Sequence, residues 1–472
     1  MVGDREDSYS LEKEVKSAAE AGKNCIEIKI PEKTRQVLET IHAAGYEAYV
    51  VGGCVRDSVL GRNPQDWDIT TSARPEQVKA LFRRTIDTGI QHGTVTVMLE
   101  KEGFEVTTYR IDGKYEDSRH PSEVTFTPNL EEDLKRRDFT INAMAYNDRD
   151  GLVDLFGGLE DIRKKRIRCV GDPEARFGED ALRILRAVRF AAQLGYEIED
   201  STAEAIRKLA PSLKKISAER IAAELIKLLV SDHPEELKNA YEMGITAVIL
   251  PEFDCCMETP QNHLHHMYSV GEHILASVKE IKPDKVLRLT MLFHDIGKAE
   301  TLTVGEDGVT HFYGHPEVSE RIARDVLKRL KLDNDTIGMV CRLVRYHDYM
   351  NGRKRDLRAV RKAIYRIGEE AFPAIFDVWR ADTLAQSMYQ RDEKLRNLNA
   401  WKELYEEVMK SGQCVSLKTL AITGNDLIAL GMTPGKEVGE MLKNLLDLVL
   451  ENPEKNTKEY LTEYAGGMIA RS

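Results

Sequence analysis

The sequence predicts an α+β protein in which a small mixed sheet with helices is followed by a long helical body. Up to about residue 155, the alternating runs Thr94–Leu99 and Phe104–Tyr109 flank a glycine-containing turn and predict a hairpin. Beyond that point, apolar residues recur at helical spacing in one segment after another. The predicted helices of the body are 178–195, 201–210, 217–231, 234–243, 270–281, 285–296, 316–331, 357–367, 371–386, 392–410, 423–430 and 437–450.

The first part of the chain alternates helices and strands. Residues 31–45 have apolar positions at helical spacing and end on a glycine, which is a helix-stop signal. The apolar run 47–51 predicts a strand, and a short helix follows that stops at Gly61. A further helix over 74–82 has Pro75 in its first turn, where proline is tolerated.

The chain of 472 residues is too long for one ordinary hydrophobic core, so several domains are expected. The predicted breaks are Pro251–Pro260 and the glycine-containing insert 303–314. The predicted division is a polar lead over 1–24, a head over 25–160, a helical neck and body over 161–260, a helical domain over 261–386 and a C-terminal helical arm over 387–472.

The composition predicts a soluble, cytoplasmic globular protein. Hydrophobic residues make up 42% and charged residues 31%, and no apolar run of about 18 residues predicts a membrane span. The N-terminus is polar and acidic, without the apolar core of a secretory signal. Seven scattered cysteines without a CxxC pair indicate reduced thiols rather than a disulfide framework or a zinc knuckle.

The net charge of −11, taken alone, disfavours a protein that binds nucleic acid. Basic clusters at 135–137, 163–168 and 342–366 depart from this average. Such runs are usually solvated helix faces. Several of them in one acidic protein are also consistent with a path that follows phosphates.

A double glycine at the end of the 47–51 strand predicts a phosphate-binding turn. Gly52 and Gly53 let backbone N–H groups approach a phosphate, and the N-terminus of the following helix adds positive potential. Arg56 lies in the first turn of that helix, within reach of the same phosphates. A double glycine alone is a weak signal, but an acidic motif follows it ten residues later.

That motif is "QDWDITTSA" at 65–73, which predicts a strand with two carboxylates on one face. Side chains alternate along a strand, so Asp66 and Asp68 point one way while Trp67 points into the core. Oxygen ligands favour Mg²⁺ or Mn²⁺ over zinc. For the pair in isolation, two solvated surface acids are the simpler interpretation. Glu105, on the neighbouring predicted strand, is a candidate third acid or an ion-pair partner.

Taken together, "VVGGCVRDSVLG" and "QDWDI" resemble the opening motif of the tRNA nucleotidyltransferase/poly(A) polymerase family, which includes the class II, bacterial-type CCA-adding enzymes. Four further segments resemble family motifs in the same order. They are "RIDGKYEDSRHPSEV" (110–124), "RRDFTINAMAYN" (136–147), "DLFGGLEDI" (154–162) and "GEDALRILRAVRFA" (178–191).

The resemblance implies a polymerase-β-like head that adds nucleotides without a template to the 3′ end of tRNA, using CTP, ATP and Mg²⁺. It assigns catalytic metal binding to Asp66 and Asp68, and binding of the triphosphate and ribose to Gly52, Gly53, Arg56 and Arg137. Asp138 is expected to order the site or to contact a ribose hydroxyl. The helical body and C-terminal arm are expected to grip the tRNA by backbone charge and A-form shape.

The segment 178–191 is where the resemblance places base recognition. A carboxylate accepts a hydrogen bond from an exocyclic amine, and an arginine donates to ring acceptors. Asp180 and Arg183 are three residues apart, hence neighbours on a continuous helix, and such a pair selects CTP and ATP over UTP and GTP. Arg186 is expected to support them. Arg189 begins half a turn away from Asp180, so it either reaches the nucleotide or braces the neck.

The loop at 110–124 bears on the product. In the family, a flexible loop here helps the switch from C to A addition. This sequence keeps a charged loop with Arg110, Asp112, Asp117 and Arg119, which favours complete CCA addition or A addition over CC addition. Poly(A) polymerases share the head motifs, so a poly(A) polymerase or an A-adding tRNA nucleotidyltransferase remains an alternative.

A second set of motifs in the helical body resembles the HD-domain metal phosphohydrolases. "HHMYSVGEHIL" (265–275), "LFHDIGK" (292–298) and "VWRADTLAQ" (378–386) supply the matching residues. The resemblance implies a divalent transition metal or Mg²⁺ at this HD site. The expected ligands are His273, His294, Asp295 and Asp382, with His315 and His347 where related domains hold a second metal, and Lys298 near the substrate phosphate.

A function of another class therefore stays open at this point. The HD site would be the enzyme, acting as a metal phosphohydrolase, and the head would serve as a non-catalytic RNA-binding module. Substitution of Asp68 or His294 distinguishes the two hypotheses, because each removes one site only.

Overall fold

The computed structural model divides into two compact units. The first unit runs to Leu228 and also includes Asn239–Ile249, and the second comprises Leu229–Lys238 and the chain from Leu250 onward. Residues 114–123 of the predicted loop, with Asp117 and Arg119, lie outside the described residues, as does the start of the histidine-rich segment. The described residues are 26–113, 124–262 and 267–470.

A seven-stranded mixed sheet is the centre of the first unit. In chain order the strands are β1 (Ala48–Val51), β2 (Ile69–Thr71), β3 (Thr85–Gly89), β4 (Thr94–Leu99), β5 (Glu102–Thr108), β6 (Arg110–Asp112), β7 (Val124–Phe126), β8 (Met144–Asn147) and β9 (Gly151–Asp154). Spatially the sheet runs β3–β4–β5–β2–β1–β8–β9, while β6 and β7 form a separate ribbon. β2 and β5 pair in parallel, with Ile69 opposite Val106, and the predicted β4–β5 hairpin is confirmed.

Helices cover this sheet and extend beyond it. They are α1 (Glu32–Ala43), α2 (Gly53–Val59), α3 (Pro75–Leu81), α4 (Leu130–Lys135), α5 (Gly158–Arg163), α6 (Pro173–Glu179), α7 (Leu182–Leu194), α8 (Asp200–Leu209), α9 (Ala218–Leu229), α10 (Leu237–Glu242) and α11 (Thr246–Ile249). A short parallel pair, β10 (Arg166–Ile167) and β11 (Glu197–Ile198), lies among them. α7 is strongly amphipathic, and its apolar face, including Ile184 and Val188, is buried.

The strand predicted for "QDWDI" is shorter than expected. β2 begins at Ile69, so Asp66 and Asp68 precede the strand instead of lying within it, and Trp67 is half-buried rather than in the core. The reason is that β2 lies between β1 and β5, where all three of its residues are buried. A strand buried on both faces has no place for solvated carboxylates.

The helix predicted over 178–195 is also wrong in its first turn. Asp180 has extended dihedrals (φ −141°, ψ 105°) and separates α6 from α7. Its carboxylate accepts a hydrogen bond from the Leu182 backbone N–H at 3.0 Å, and its carbonyl accepts one from the Arg183 N–H. Asp180 thus satisfies N–H groups at the start of α7, which is what aspartate does at helix N-termini.

The second unit is helical, as predicted. Its helices are α12 (Pro251–Glu258), α13 (Val270–Glu280), α14 (Lys285–Phe293), α15 (Lys298–Thr301), α16 (His315–Arg329), α17 (Asn334–Tyr346), α18 (Leu357–Ile367), α19 (Phe372–Ala385), α20 (Arg391–Lys410), α21 (Gly424–Ala429), α22 (Lys436–Glu451) and α23 (Lys458–Ile469). A small hairpin joins β12 (Thr303–Val304) to β13 (Thr310–His311). Sequence periodicity missed α12, α15, α17 and α23. The break predicted at Pro251–Pro260 adjoins the division between the two units at Leu250, and Pro251 begins α12 in the first-turn position that suits proline.

The C-terminal helices have a core of their own. Leu427 on α21, Leu445 and Leu446 on α22 and Leu461 on α23 are fully buried together. Arg361 on α18 is buried beside them and donates to the Leu450 carbonyl at 2.8 Å. A cation at the last turn of α22 opposes the negative end of that helix. Among the described helices, none combines the length and apolar character that a bilayer crossing needs.

Candidate nucleotide site and candidate metal centre

The double-glycine turn has a backbone conformation that requires glycine. Gly52 has φ 84° and ψ −128°, and it passes directly from β1 into α2. A Cβ atom placed on Gly52 would stand 2.9 Å from Nη1 of Arg137. The missing side chain therefore lets the Arg137 guanidinium lie against the backbone at the N-terminus of α2, where a helix attracts anions.

Arg137 has a donor that no side chain or carbonyl takes up. Its Nε is buried without a hydrogen-bond partner among the described residues, and its Nη2 is 3.6 Å from the Asp133 carboxylate. Burial lowers the pKa of Arg137, and Asp133 and Asp68 oppose that shift. An arginine with an unfilled donor beside a glycine turn fits a phosphate oxygen.

Arg56, expected to reach the same phosphates, is held by protein groups. Its Nη1 donates to Oδ1 of Asn142 at 2.7 Å, and its Nε and Nη2 donate to the Asp57 carboxylate at 2.9 Å each. The guanidinium also lies over the Phe190 ring at 5.1 Å. Arg56 therefore ties α2 to the segment after α4 and supplies positive charge from a fixed position.

The acidic pair lies beside this turn. The Asp68 carbonyl accepts a hydrogen bond from the Val51 N–H at 3.0 Å, so the β1–β2 pairing continues to the residue before Gly52. Partial burial of the carboxyl raises the pKa of Asp68; Arg137 opposes the rise and Asp66 adds to it. Both aspartates are exposed. A cation between them would relieve this repulsion.

Asp66, Asp68 and Glu105 line one cleft of about 790 Å³. Glu105 does not complete a three-ligand group with them. In the described part of the chain, such groups with ligand atoms within 4.8 Å of one another occur only in the second unit. The head therefore offers two exposed carboxylates, and a bound ion there would need water or substrate oxygens as further ligands.

The base-recognition residues are held by separate partners. Asp180 accepts from Nη2 and Nη1 of Arg220 on α9, at 2.6 and 3.3 Å. Arg183 is bonded to the Glu179 carboxylate and donates to the Arg136 carbonyl at 3.1 Å. Because the helix breaks at Asp180, the Asp180–Arg183 helix-face pair expected from their spacing does not form.

Arg186 and Asp138 form the ion pair that joins α7 to the "RRDF" motif. The Nε and Nη2 atoms of Arg186 lie 2.7 and 2.6 Å from Oδ2 of Asp138. Although burial raises the pKa of Asp138, Arg186 and Arg183 outweigh it and lower that pKa to about 2. Asp138 also accepts from the Phe139 N–H at 2.8 Å. The carboxylate orders the motif, which is one of the two roles expected for it.

Arg189 lies in the interior. It is 6% exposed, is bonded to the buried Glu224 carboxylate, and donates to Oε1 of Gln193 at 2.6 Å. Its guanidinium lies 3.8 Å from the Phe190 ring centroid. This geometry is consistent with Arg189 bracing the neck, one of the two roles expected for it.

The sequence did not reveal the partner residues on α9, Arg220 and Glu224. Their only signal was a spacing of four residues, which puts both on one helix face.

Six predicted ligand residues converge in the second unit. Three of the four histidines are oriented by backbone carbonyls. Nδ1 of His294, His315 and His347 donates to the carbonyl oxygens of Met291, Phe312 and Val344 at 2.7, 2.9 and 2.8 Å. A carbonyl can only accept, so Nδ1 of each ring carries a proton and Nε2 is the nitrogen that faces the centre, the orientation that backbone carbonyls give to metal-binding histidines. The converging residues are His273, His294, Asp295, His315, His347 and Asp382.

Asp295 belongs to two ligand groups at once. It joins His273, His294 and Asp382 in one, and His315 and His347 in the other, with the ligand atoms of each group within 4.8 Å of one another. Its Oδ2 is 3.3 Å from His273 Nε2, and its Oδ1 is 3.3 Å from His315 Nε2. This geometry suits a carboxylate that bridges two ions.

The turn after Asp295 packs tightly against α16, so Asp295 lies close to the residues of both ligand groups. A Cβ on Gly297 would stand 2.5 Å from the backbone nitrogen of Ser319 on α16. The glycine therefore brings the Asp295 turn against the helix that begins at His315. Lys298, in the same turn, lies 2.6 Å from Oδ2 of Asp295 and donates to Oε1 of Gln261 at 3.0 Å.

The charges of the cluster are those of a cation site. Burial raises the pKa values of Asp295 and Asp382, but Lys298 and the histidines outweigh it and bring both well below their ordinary range. Burial lowers the pKa of His273, yet Asp295 and Asp382 raise it to about 9. Two ionised carboxylates thus gather positive charge around them in a buried site.

Three family profiles match successive parts of the chain. Residues 48–168 match the family profile "Poly A polymerase head domain", 195–257 match "Probable RNA and SrmB- binding site of polymerase A", and 301–465 match "tRNA nucleotidyltransferase domain 2". The CCA-adding enzyme of Enterococcus faecalis is 36% identical over 430 residues, which are 91% of this chain and 94% of that protein. The chain belongs to the CCA-adding enzyme family.

Two further members of the family support the assignment. The CCA-adding enzyme of Lactobacillus helveticus is 36% identical over 92% of this chain and 98% of its own length. A crystal structure of the Bacillus stearothermophilus CCA-adding enzyme in complex with CTP is similar with a TM-score of 0.69 and 29% identity, over 92% of this chain and 96% of that one. The predicted polymerase-β-like head followed by a helical body is confirmed.

Replacing Gly52 by alanine should destabilise the first unit more than replacing Gly45, which also has a positive φ (+85°) but open space around its Cβ position. At Gly45 the positive φ costs alanine about 1–2 kcal/mol. At Gly52, φ 84° and ψ −128° cost up to about 3 kcal/mol, and the new Cβ must also displace the flexible end of Arg137. Urea unfolding of the two variants measures the difference, and equal losses would contradict a specific need for glycine at position 52.

Arg189→Ala should lower the free energy of unfolding by about 3–5 kcal/mol, because it leaves Glu224 charged and buried. The matched variant is the double substitution Arg189→Met with Glu224→Leu, which removes both charges and should recover most of the loss. Urea denaturation is the measurement. An Arg189→Ala variant of unchanged stability would show that the residue does not brace the helices.

Proposed function

We propose that the first unit adds C, C and A to the 3′ end of tRNA from CTP and ATP, releasing pyrophosphate. The observation that carries the proposal is the site itself. The Gly52 turn, the Arg137 guanidinium and the Asp66–Asp68 pair adjoin one another at the end of β1. Near-complete coverage of curated CCA-adding enzymes supports this reaction over others that use the same head.

Asp66 and Asp68 would hold the divalent cation, and oxygen ligands that keep open positions favour Mg²⁺. When bound, such ions supply Lewis-acid stabilisation for nucleotidyl transfer. The donor set fits, because both carboxylates are exposed and Asp66 adds to the rise in the pKa of Asp68 that burial causes, so a cation would be favoured between them.

The chain's own groups perform the binding. The backbone N–H of Gly53, at the start of α2, and the side chain of Arg137 would bind the phosphates. The Gly52 N–H, expected to share this role, instead donates to the Met144 carbonyl at 3.1 Å. Asp180 accepts from the exocyclic amine that cytosine and adenine share, while Arg183 donates to the neighbouring ring acceptor. Arg186 supports them by fixing Asp138. Arg56 contributes charge from its fixed position.

A poly(A) polymerase or an A-adding tRNA nucleotidyltransferase is the alternative within the same chemistry. The head profile carries a poly(A) polymerase description. The full-length relatives are named as CCA-adding enzymes, which favours three defined additions.

The second unit supports a second function, a metal-dependent phosphohydrolase. The observation that favours it is the convergence of two ligand groups on Asp295. Imidazole and carboxylate ligands suit a divalent transition metal or Mg²⁺. Such ions lower the pKa of water and polarise phosphate oxygens. Lys298, beside Asp295, adds a positive charge for the substrate phosphate. In this proposal both units are enzymes, instead of the head being only an RNA-binding module.

We expect both activities in the cytoplasm. In the described part of the chain, six cysteines are free, and five of them are buried. Free buried thiols persist where the surroundings are reducing.

A tRNA transcript that lacks its last three nucleotides should gain those three when incubated with CTP and ATP. Asp68→Asn should reduce the rate of nucleotide addition by about 10³-fold or more, because metal binding is lost. His294→Ala is the matched control from the second unit and should retain addition. Products are resolved on sequencing gels. Long A tails, or A added only to tRNA ending in CC, would contradict complete CCA addition.

Metal content should depend on Asp295 more than on any one histidine. The purified chain should hold two transition-metal ions in the second unit, His347→Ala one, and Asp295→Asn none, because Asp295 belongs to both groups. His233→Ala, in the same unit but away from the cluster, is the control. Mass spectrometry of bound metals gives the count, and two ions retained by Asp295→Asn would refute a shared ligand.

A further inference from the structure

A fully buried carboxylate, Asp133, lies between β2 and the first two residues of the "RRDF" motif. It belongs to α4 and is 0% exposed. Its Oδ1 accepts from Nε and Nη2 of Arg136 at 2.9 and 2.8 Å. Its Oδ2 accepts from the Thr70 hydroxyl at 3.0 Å and lies 3.6 Å from Nη2 of Arg137. One side chain thus contacts both a strand of the sheet and the arginine assigned to the triphosphate.

The contact with Thr70 fixes Asp133 relative to the acidic pair. Thr70 is buried in β2, opposite Tyr49 of β1 and Thr107 of β5, so strand pairing on both sides sets its position. Asp68 precedes Thr70 by two residues, immediately before the same strand. A carboxylate bonded to Thr70 therefore keeps a constant position with respect to Asp68.

Arg137 is attracted by more than one carboxylate. Burial lowers its pKa, and Asp133, Asp68 and Asp138 oppose that shift. Asp138 is already bonded to Arg186. If Asp133 lost its charge, the attraction of Asp68 would no longer be balanced. A guanidinium that paired with Asp68 would compete with the cation and would leave the phosphate-binding turn.

Asp133 also acts on the base-recognition residues through Arg136. The Arg136 guanidinium is bonded to Asp133, and its carbonyl accepts from Nη2 of Arg183 at 3.1 Å. Arg136 and Arg137 are consecutive residues at the end of α4. The same carboxylate therefore orders the backbone that carries the phosphate arginine and the backbone group that holds Arg183.

Asp133 is kept as a carboxylate in the interior. Although burial raises its pKa, Arg136 and Arg137 outweigh it and lower that pKa. Water does not screen a charge at such a position, so its attraction for a guanidinium 3.6 Å away is strong. Replacing a buried ion pair by apolar residues is often neutral for stability. The orientation of Arg137 therefore explains this buried charge better than stability does.

We propose that Asp133 is a positioning residue for nucleotidyl transfer, which holds the Arg137 guanidinium against the Gly52 turn and away from Asp68. In that position Arg137 keeps donors for the triphosphate, and Asp68 keeps its oxygens for a cation. The inference deepens the proposed nucleotide addition and rests on it. Asp133 does not touch the nucleotide itself, because it has no exposed surface.

The test is Asp133→Asn in the full-length protein, assayed with CTP, Mg²⁺ and tRNA that lacks its 3′ end. The amide keeps the size of the side chain and can still accept from Thr70, but it carries no charge. KM for CTP should rise about tenfold or more, the effect of losing a charge-assisted contact, while KM for tRNA stays the same. A loss of stability alone would reduce the amount of active protein and would leave both KM values unchanged.

Equilibrium dialysis gives a readout that does not depend on catalysis. The Kd of CTP without tRNA should rise in Asp133→Asn by about the same factor as KM. Both proteins have the same second unit, so a difference in CTP binding between them comes from the first unit.

Asp161→Asn is the matched control. Asp161 is a carboxylate of the same unit and is 2% exposed. It also accepts from a threonine and an arginine, since the Thr140 hydroxyl lies at 2.6 Å and Nε of Arg168 at 2.9 Å. Because its partner is Arg168 instead of Arg137, Asp161→Asn should leave KM and Kd for CTP unchanged, even if it lowers stability.

The outcomes separate this proposal from the proposed function. If wild type adds no nucleotide but Asp133→Asn weakens CTP binding in dialysis, the function fails and the positioning role stands. If wild type adds C, C and A while Asp133→Asn has the wild-type KM and Kd for CTP, the function stands and the positioning role is overturned. Equal increases in Asp133→Asn and Asp161→Asn would also overturn it, because any buried carboxylate of the unit would then have the same effect.

Thr70→Val replaces Asp133→Asn if circular dichroism shows that the latter does not fold. Valine has nearly the shape of threonine but cannot donate, so Oδ2 of Asp133 loses the hydrogen bond that fixes it. KM for CTP should rise about threefold, the effect of one hydrogen bond. Thr70→Ser keeps the hydroxyl and should have the wild-type KM. Equal KM values for the two Thr70 variants would overturn the proposal.

Discussion

The ion pair between Arg186 and Asp138 is the interaction on which the first unit depends most. Asp138 belongs to the motif that follows α4, and Arg186 belongs to α7, 48 residues later. The pair lies between two further arginine contacts of α7. Arg183 donates to the Arg136 carbonyl, and Arg189 meets Glu224. α7 thus connects the phosphate-binding segment to α9. Removing Arg186 is expected to be costly, because Asp138 is buried and would be left without its main partner.

The second unit differs from the first because carboxylates and imidazoles are buried together in its interior. Asp295 is 3% exposed and lies within 3.3–3.5 Å of four histidine nitrogens. Such a cluster is stable only with a compensating charge, and the described structure supplies Lys298 at 2.6 Å. In the head, by contrast, Asp66 and Asp68 are exposed, and the Arg137 Nε beside them is buried without a hydrogen-bond partner among the described residues. The proposed roles match this difference: exposed acids suit a large, charged substrate, and a buried cluster suits small cations.

The sequence predicted which residues belong to each candidate site better than it predicted the local backbone structure around them. The sequence predicted all six histidine and aspartate residues of the candidate metal centre from their resemblance to HD motifs, and the structure brings their ligand atoms together. The start of β2 was missed, since alternation cannot tell that a three-residue strand lies between two neighbours and buries both faces. α17 was missed because its basic residues hide its apolar stripe. Arg220 and Glu224 were missed for a different reason: partners 35–40 residues away leave no periodic signal.

The helix break at Asp180 has a consequence for base recognition. In a continuous helix, Asp180 and Arg183 would be neighbours and would neutralise each other, leaving a base to compete with an existing ion pair. In the structure Arg220 holds Asp180 and Glu179 holds Arg183, so each group is positioned by another residue. The Asp180 carboxylate has about four acceptor sites, of which Arg220 and the Leu182 N–H occupy only part. The separate partners therefore hold Asp180 and Arg183 in fixed positions, as the proposed base recognition requires.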